Sequence, residues 1–218
     1  MASCRLYISV FDNETAETHT NAMRIQLIVL SLLASTVLPS VSRAQGVPVF
    51  VITPEDSSIK FFVKASVALE GNFDKWDATL KYTSPALSTG VLEIKIQAAS
   101  VNTGSGMKDD KLKSKDFFDV KKDPLITFKS TKVAQTGPNT FDLQGNFTIR
   151  GVSKPETLVL TVSGIGTGEG EIHGTMAFDR KDYGMNSGIP FIKIADRVEV
   201  SVALKAKRVS GPPVDLKK

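Results

Sequence analysis

Apolar and polar side chains alternate along most of the chain, and this period of two constrains the fold more than any other feature. Residues 91–98 show it most clearly: leucine or isoleucine occupies positions 92, 94 and 96, and glutamate, lysine and glutamine occupy positions 93, 95 and 97. Successive side chains of an extended strand point to opposite faces of a sheet. Eight such segments, and a short apolar run at residues 49–53, are joined mostly by tight turns rich in glycine and proline. The pattern predicts an antiparallel all-β domain.

Eight consecutive strands favour a closed barrel, because closure removes the exposed edges that an open sheet must protect. A barrel of this size is about wide enough to be filled by its own side chains or to hold one slender ligand. We therefore expect a closed eight-stranded antiparallel barrel. A β-sandwich is the alternative.

Residues 100–120 form the long polar interruption in this pattern, and Pro124 closes the segment. The segment contains Phe117 and Phe118, which as neighbours cannot share one face of a strand. A turn or a helix end at this point would let one ring point inward while the other braces a short helix. We expect a helical lid across the end of the sheet, with at least one of the two rings packed into the barrel mouth.

The amino-terminal residues show the order of a secretory signal peptide. A basic residue at position 24 is followed by an apolar run over residues 25–38, and Ser42-Arg43-Ala44 supplies small residues at the cleavage positions. The run is shorter than the ~20 residues that span a bilayer, which disfavours the alternative of a permanent membrane anchor. We expect an over-extended gene start at 1–22, a signal peptide at 23–44, a barrel domain at 45–210 and a flexible tail at 211–218. The predicted location is periplasmic or secreted.

Charge and cysteine content exclude several function classes. Cys4 is the lone cysteine and precedes the predicted cleavage site, so no disulfide, thiol nucleophile or cysteine metal site is expected. Six lysines and five aspartates alternate between residues 108 and 123. A nucleic-acid footprint would be clustered and of one sign. Nucleic-acid binding is therefore not predicted.

Catalytic and metal-binding patterns are also missing from the sequence. His173 stands alone in a strand, and His19 lies before the signal peptide. The glycine-rich stretch 164–170 joins strand to strand and has Glu169 where a dinucleotide-binding loop needs glycine. Glycine–serine clusters at 104–106 and 186–188 do not fit a nucleophile elbow. We predict no enzyme activity and no metal.

The apolar faces of the strands form either a packed core or the wall of a pocket, and alternation alone leaves both open. The side chains predicted to face the lumen, together with the aromatic pair of the lid, are Phe61, Val63, Trp76, Leu92, Ile94, Ile96, Phe117, Phe118, Ile126, Phe128, Phe147, Ile149, Leu158, Leu160, Met176, Phe178, Val200 and Val202.

Four segments resemble the YceI-like polyisoprenoid-binding proteins of bacteria. They are Ser100-Val-Asn-Thr-Gly104 with Asp116-Phe-Phe-Asp-Val120, Phe128-Lys-Ser-Thr131, Phe147-Thr-Ile-Arg-Gly-Val-Ser-Lys-Pro155 and Phe178-Asp-Arg-Lys-Asp-Tyr-Gly184. The match runs in order over roughly residues 48–208. The resemblance implies a lipocalin-like barrel in the periplasm, often dimeric, whose interior tunnel holds a long-chain isoprenoid or another apolar lipid. It implies no cofactor apart from such a bound lipid, for example a polyisoprenoid or an isoprenoid quinone.

The resemblance also suggests polar residues that would select a ligand head group at the mouth. The candidates are Asn102, Lys108, Asp109, Arg150, Arg180, Asp182 and Tyr183. For each of them the alternative role is structural, through turn hydrogen bonds or an arginine–aspartate bridge. The family commonly has arginine and histidine where this chain has Lys108 and Lys111, and a histidine where it has Ser57 or Ser58. The competing function is a non-catalytic interaction or structural protein of the cell envelope with a packed barrel.

Overall fold

The structure, a computed structural model, describes residues 46–66, 69–188 and 193–216. The predicted gene-start extension, the signal peptide and its cleavage after Ala44 lie outside the described residues. Within those residues, no helix is both long enough and apolar enough to cross a bilayer.

Strands make up most of the described chain, as the alternation predicts. The strands are β1 (Val49–Ala65), β2 (Leu69–Phe73), β3 (Trp76–Lys81), β4 (Val91–Gln97), β5 (Val101–Asn102), β6 (Leu125–Gln135), β7 (Thr140–Ile149), β8 (Val152–Val162), β9 (Glu169–Asp179) and β10 (Ile194–Ser210). The α-helix is α1 (Gly106–Lys113), and 3₁₀ turns occupy Leu87–Thr89, Ala98–Ser100 and Arg180–Tyr183. The prediction of a short helix in the 100–120 segment is confirmed.

The ten strand segments of the described chain make a closed barrel with eight positions around its wall. β2 and β3 occupy one position in succession, because β2 pairs with β1 and β5 while β3 pairs with β4. β4 and β5 share the next position. The remaining strands follow in antiparallel order, and β10 pairs with β1 to close the wall. The predicted eight-stranded antiparallel barrel is confirmed.

β1 differs from the sequence expectation, which separated residues 49–53 from a strand at 59–63. The structure joins them into one strand that pairs with β10 along its length. The register shifts between Thr53 and Ser58, so residues 54–57 bulge out of the ladder, and this bulge absorbs Pro54. Proline lacks the N–H that a ladder needs, so the sequence at Pro54 indicates the end of a strand. Gly71 and Asn72, where the apolar–polar alternation of the sequence breaks, lie inside β2.

The two ends of the barrel differ in their connections. One end, here called the turn end, carries residues 46–48, 83–90, 136–139, 163–168 and 211–216. The other, here called the helix end, carries α1 with its flanking segments over 98–124, the turn at 150–151 and residues 180–188. Because the strands are antiparallel and consecutive, successive connections alternate between these ends.

Candidate functional site: two apolar cavities inside the barrel

A cavity of about 180 Å³ lies inside the turn end. Its lining is mostly apolar and comes from nearly every strand around the wall: Phe50, Leu80, Tyr82, Leu87, Leu92, Val133, Phe141, Leu143, Leu160, Val162, Ile172 and Ala206. Residues 163–170, Arg208, and Pro213, Val214 and Leu216 of the C-terminal segment complete the lining. The space is suited to a hydrocarbon, because an apolar group gains from leaving water and needs no partner there.

A strap formed by residues 211–216 lies across this end. Asp215 forms a bridge with Ala86: its N–H donates to the Pro85 carbonyl at 2.7 Å, and its carbonyl accepts from the Leu87 N–H at 3.3 Å. Gly211 starts the strap at φ 79°, and a Cβ there would lie 2.0 Å from the Val47 carbonyl oxygen. The predicted flexible tail therefore has a defined place over residues 211–216, held by backbone hydrogen bonds.

Polar groups are sparse on the wall of the turn-end cavity. The Tyr82 ring lies 5.8 Å from the Phe50 ring, and burial raises the pKa of Tyr82 to about 12. Its phenol therefore stays neutral at physiological pH. Glu169 and Arg208 belong to the same lining, where the Glu169 carboxylate pairs with Lys207 Nζ at 2.7 Å. The wall therefore discriminates by shape and apolarity.

A packed waist separates this cavity from the other half of the lumen. A Cβ on Gly145 would lie 2.8 Å from Phe128 Cζ, and one on Gly174 would lie 2.8 Å from Leu160 Cδ2 and 3.1 Å from Leu158 Cδ1. These two inward-facing glycines leave the space that the larger side chains fill. The lumen described here is therefore two cavities with a waist between them.

The second cavity, of about 60 Å³, lies inside the helix end. The lid pair Phe117 and Phe118 lines it, and both rings are buried. Phe118 packs against Phe73 with ring centroids 5.9 Å apart, and Lys111 Nζ lies 5.9 Å from the Phe117 ring centroid. The segment expected to act as a lid therefore fills and closes this end.

Arg150 fastens the closed end. Its Nη1 donates to the Gly184 carbonyl and its Nη2 donates to the Lys115 carbonyl at 2.9 Å. One guanidinium thus joins the segment after α1 to the segment after β9. Arg150 does so from the left-handed backbone region, φ 53°, which residues with a Cβ seldom adopt.

Arg180 holds the same end from inside, with only 7% of its surface exposed. Its Nε donates to the Ala195 carbonyl at 3.2 Å, and its Nη1 donates to the carbonyls of Met185 and Ser187, the latter at 2.9 Å. Its Nη2 donates to Asp196 Oδ1 at 3.0 Å. A planar guanidinium can satisfy several acceptors in one geometry, which lysine cannot. The structural alternative is therefore the one that these contacts favour for Arg180.

Tyr183 is fully buried beside the place where β8 and β9 stop pairing, since their ladder covers only residues 159–162 and 172–175. Its ring packs at 5.5 Å from the Phe147 ring and 5.2 Å from the Phe178 ring. The hydroxyl donates to Glu156 Oε1 at 3.0 Å. Burial, and then this carboxylate, raise the pKa of Tyr183. The residue seals the seam and presents its hydroxyl away from the aromatic cluster.

The other predicted head-group residues also lie at the helix end. Asp109 Oδ1 accepts from the Thr103 N–H at 2.8 Å and from its hydroxyl at 2.6 Å. Asn102 Nδ2 donates to Asp74 Oδ2 at 3.0 Å, its Oδ1 accepts from the Gly104 N–H, also at 3.0 Å, and Asp182 Oδ1 pairs with Lys154 at 3.2 Å. Lys108 is half-buried on α1. Contact of these residues with a head group stays a prediction, and all lie opposite the larger cavity.

Of the eighteen lumen candidates, sixteen are buried, while Trp76 and Val200 are partly buried against the core. Ten line the helix-end cavity: Phe61, Val63, Ile96, Phe117, Phe118, Ile126, Phe147, Ile149, Phe178 and Val200. Two line the turn-end cavity, Leu92 and Leu160. The lining of neither cavity includes Trp76, Ile94, Phe128, Leu158, Met176 or Val202.

Sequence reasoning missed most of the turn-end wall. Phe141 and Leu143 share the alternation of Phe147 and Ile149 on β7, and that signal identifies them. No such signal marks Leu216, which follows two prolines and a turn.

Within the described residues, no group of three histidine, cysteine, aspartate or glutamate side chains stands close enough to hold a metal ion.

Comparison with known proteins gives this barrel a family. The profile of the YceI-like domain matches residues 50–206, which span the whole wall from β1 to β10. The chain belongs to the YceI-like family. It is 30% identical over 133 residues to a UPF0312 protein of Pseudomonas savastanoi pv. phaseolicola, covering 59% of this chain and 69% of that protein.

Solved structures of YceI-like and related proteins share this fold. Burkholderia cenocepacia BcnA is 27% identical, with a TM-score of 0.64 over 71% of this chain and 99% of that one. A polyisoprenoid binding domain from Saccharophagus degradans has a TM-score of 0.59 over 74% of this chain and 99% of that one. At 15% identity, the latter likeness concerns the fold alone.

Proposed function

We propose that this YceI-like protein is an exported, non-catalytic carrier that binds one apolar lipid chain, of isoprenoid or similar chemistry, in its barrel. The observation that carries the proposal is the turn-end cavity, an apolar space inside the closed wall. The fold likeness to a polyisoprenoid binding domain agrees with it.

The energetics of such a site need no charged group. A chain that buries ~250 Å² of apolar surface gains on the order of 6 kcal/mol at ~25 cal/mol/Å², before the costs of ordering and association. Micromolar affinity needs about 8 kcal/mol in total. Longer chains therefore bind better, as long as space can open for them.

Space is the limiting quantity in the form described here. Drug-sized ligands occupy pockets of roughly 300–1,000 Å³, whereas the turn-end cavity has about 180 Å³. A long isoprenoid therefore requires that the strap lift or that the waist open to join the two cavities. The packed waist is also the feature that favours the competing function, a non-catalytic envelope protein with a filled barrel.

Extraction and binding measurements test the proposal together. Organic-solvent extracts of protein purified from its native host are analysed by mass spectrometry, and prenols of two to four isoprene units are titrated against the delipidated protein. Val133→Trp places a ring in the turn-end cavity, and its matched control, Val159→Trp, places the same ring on the exposed outer face of β8.

We expect a co-purified lipid, prenol binding that strengthens with chain length, and a loss of at least about ten-fold in Val133→Trp only. Absence of both lipid and prenol binding in the wild-type protein would contradict the carrier function and leave the filled-barrel interaction protein.

Export and assembly belong to the same proposal. Cell fractionation and mass measurement of the mature protein are expected to show a periplasmic or secreted chain that begins after Ala44. An intact leader on cytoplasmic protein would contradict export. A homodimer, which the family resemblance implies, stays a prediction for sedimentation measurements.

A further inference from the structure

The connections at the two ends of the barrel carry very different charge. Residues 83–90, 136–139 and 163–168 at the turn end contain no lysine, arginine, aspartate or glutamate, and the strap contains only Asp215. At the helix end, residues 108–123 alone contain six lysines and five aspartates. An end with few charges loses little hydration free energy when an apolar surface covers it.

Apolar side chains are exposed around the neutral end. They are Val47, Val49, Val51, Ile165 and Val209, with exposed fractions of 38%, 41%, 50%, 38% and 54%. Val49 and Val51 lie on β1 beside the last residues of β10, where Val209 lies, because Val49 pairs with Ser210 and Val51 with Lys207. These valines lie near one another on the outer wall next to the strap, with Lys207 beside Val51 in the same row. Ile165 sits in the β8–β9 turn.

This apolar rim is continuous with the turn-end cavity. Ile165 is exposed to solvent and also belongs to the cavity lining. Val214 and Leu216 of the strap line the same cavity. A surface that covered the rim would therefore cover the strap and the mouth as well.

Cationic side chains lie beside the rim valines on the neighbouring strands. Lys81 is exposed and pairs across the sheet with Val49. Lys207 lies opposite Val51 and is neutralised by Glu169 at 2.7 Å. An apolar rim flanked by a cation matches a phospholipid surface, where acyl chains accept the apolar side chains and phosphates meet the lysine.

We propose that the turn end is a docking surface for a phospholipid bilayer, and that the carried lipid passes between bilayer and barrel through the mouth under the strap. This inference rests on the proposed carrier function and adds the membrane partner and the route of transfer. Binding is driven by the apolar rim, so it needs no anionic lipid and changes little with ionic strength, which screens charge–charge attraction.

Vesicle flotation tests the inference with the mature protein, which begins after Ala44, and vesicles of phosphatidylcholine alone or mixed with phosphatidylglycerol. Val51→Glu and Val209→Glu place a charge in the rim at exposed positions outside the cavity lining. Met107→Glu is the matched control, because Met107 is an apolar residue exposed to 85% at the helix end. Melting temperature and prenol binding in vesicle-free solution establish for each variant that the barrel and its cavity are intact.

The wild-type protein is expected to float with phosphatidylcholine vesicles, with partitioning that varies less than about two-fold between ~0.05 and ~0.5 M salt. Each rim variant should partition about ten-fold less and exchange prenol with vesicles about ten-fold more slowly, while Met107→Glu behaves as wild type. Prenol binding in solution is unchanged in all of them, which keeps this test separate from that of the carrier function.

Three results would overturn the inference. In the first, the wild-type protein does not float although it binds prenols in solution. In the second, flotation requires phosphatidylglycerol, falls with salt and is lost in Met107→Glu. That result would assign docking to the charged end. In the third, the rim variants change the oligomeric state and leave flotation intact. That result would make the rim a contact between copies of the chain.

Discussion

The helix end and the turn end of this barrel share one wall and differ in how they are closed. Side-chain donors fasten the helix end: Arg150 joins two of its segments, and Arg180 donates to three carbonyls and one carboxylate. At the turn end the strap is held to residues 85–87 by the two backbone hydrogen bonds of Asp215, over a larger cavity. Opening therefore costs less at the turn end, which is where we expect ligand exchange.

The difference teaches how a closed barrel can combine rigidity with access. A buried guanidinium with many acceptors is costly to release, because each carbonyl left behind loses its donor in a dry environment. A short strap held by backbone bonds at the surface can open locally while the wall stays folded. The same chain thus contains a permanent closure and a removable one.

The largest expected effect comes from Arg180→Ala at the helix end. The change leaves the carbonyls of Met185, Ser187 and Ala195 without their donor, so we expect the free energy of unfolding to fall by about 2–4 kcal/mol. Denaturant titration measures it. Arg197→Ala is the control, since Arg197 is exposed and pairs only with exposed Glu199, and should stay within about 0.5 kcal/mol of wild type. Equal losses in the two variants would contradict the assignment of Arg180 as the fastening residue.

A smaller effect is expected at the waist between the two ends. Phe128→Leu shortens the side chain that fills the space over Gly145, at a cost on the order of 1 kcal/mol. The two cavities should then join, and the longest prenol that binds should increase by at least one isoprene unit. Titration with prenols of increasing length measures the limit. If Phe128→Leu has the expected stability but binds no longer prenol than wild type does, the waist is not the barrier to longer ligands.

Removal of residues 212–218 is expected to change the free energy of unfolding by less than about 1 kcal/mol. The rate of ligand exchange should change more strongly. Few backbone hydrogen bonds are lost, and Leu216 of the strap packs only partly buried against the core. Prenol dissociation should become several-fold faster by stopped-flow fluorescence. Arg150→Ala opens the opposite end and serves as control, with an unchanged dissociation rate. Faster dissociation in Arg150→Ala alone would reverse the roles of the two ends.

The smallest effect concerns the pH dependence of the helix end. Lys181, and then Arg180, hold the pKa of Asp196 below its ordinary value. A carboxylate with a depressed pKa stabilises the fold above its ordinary pKa, and this contribution is lost as pH falls through the depressed value. Melting temperatures of wild type and Asp196→Asn should therefore differ at pH 6 and converge on acidification below about 3.9. A difference independent of pH would contradict the ion pair.

The barrel could be predicted from the sequence because its signal is local and repeated. Positions 92, 94 and 96 share a face whichever strands flank them, and eight such segments close a wall. The bulge at 54–57 could not be predicted, since proline there reads as a strand end and only the pairing of β1 with β10 shows that the strand continues.

The site was predictable in part, for a similar reason. Alternation identified the side chains that point inward, yet it could not divide them between two cavities. That division depends on small residues lying against large ones on neighbouring strands, such as Gly174 beside Leu158 and Leu160. The path of the strap depends on a bridge between Ala86 and Asp215, residues far apart in sequence with no periodic pattern.

The claim that ligand passes through the turn end is tested most directly by locking the strap. Ala86→Cys with Asp215→Cys joins two bridge partners, whose strand spacing of roughly 4.7–4.9 Å lies within the Cα separation that a disulfide spans. The mature chain that we propose begins after Ala44 and contains no natural cysteine, so the parent protein serves as control. We predict that prenol exchange is at least about ten-fold slower in the oxidised protein and returns to the control rate on reduction. Equal exchange rates in the oxidised and reduced forms would contradict the account.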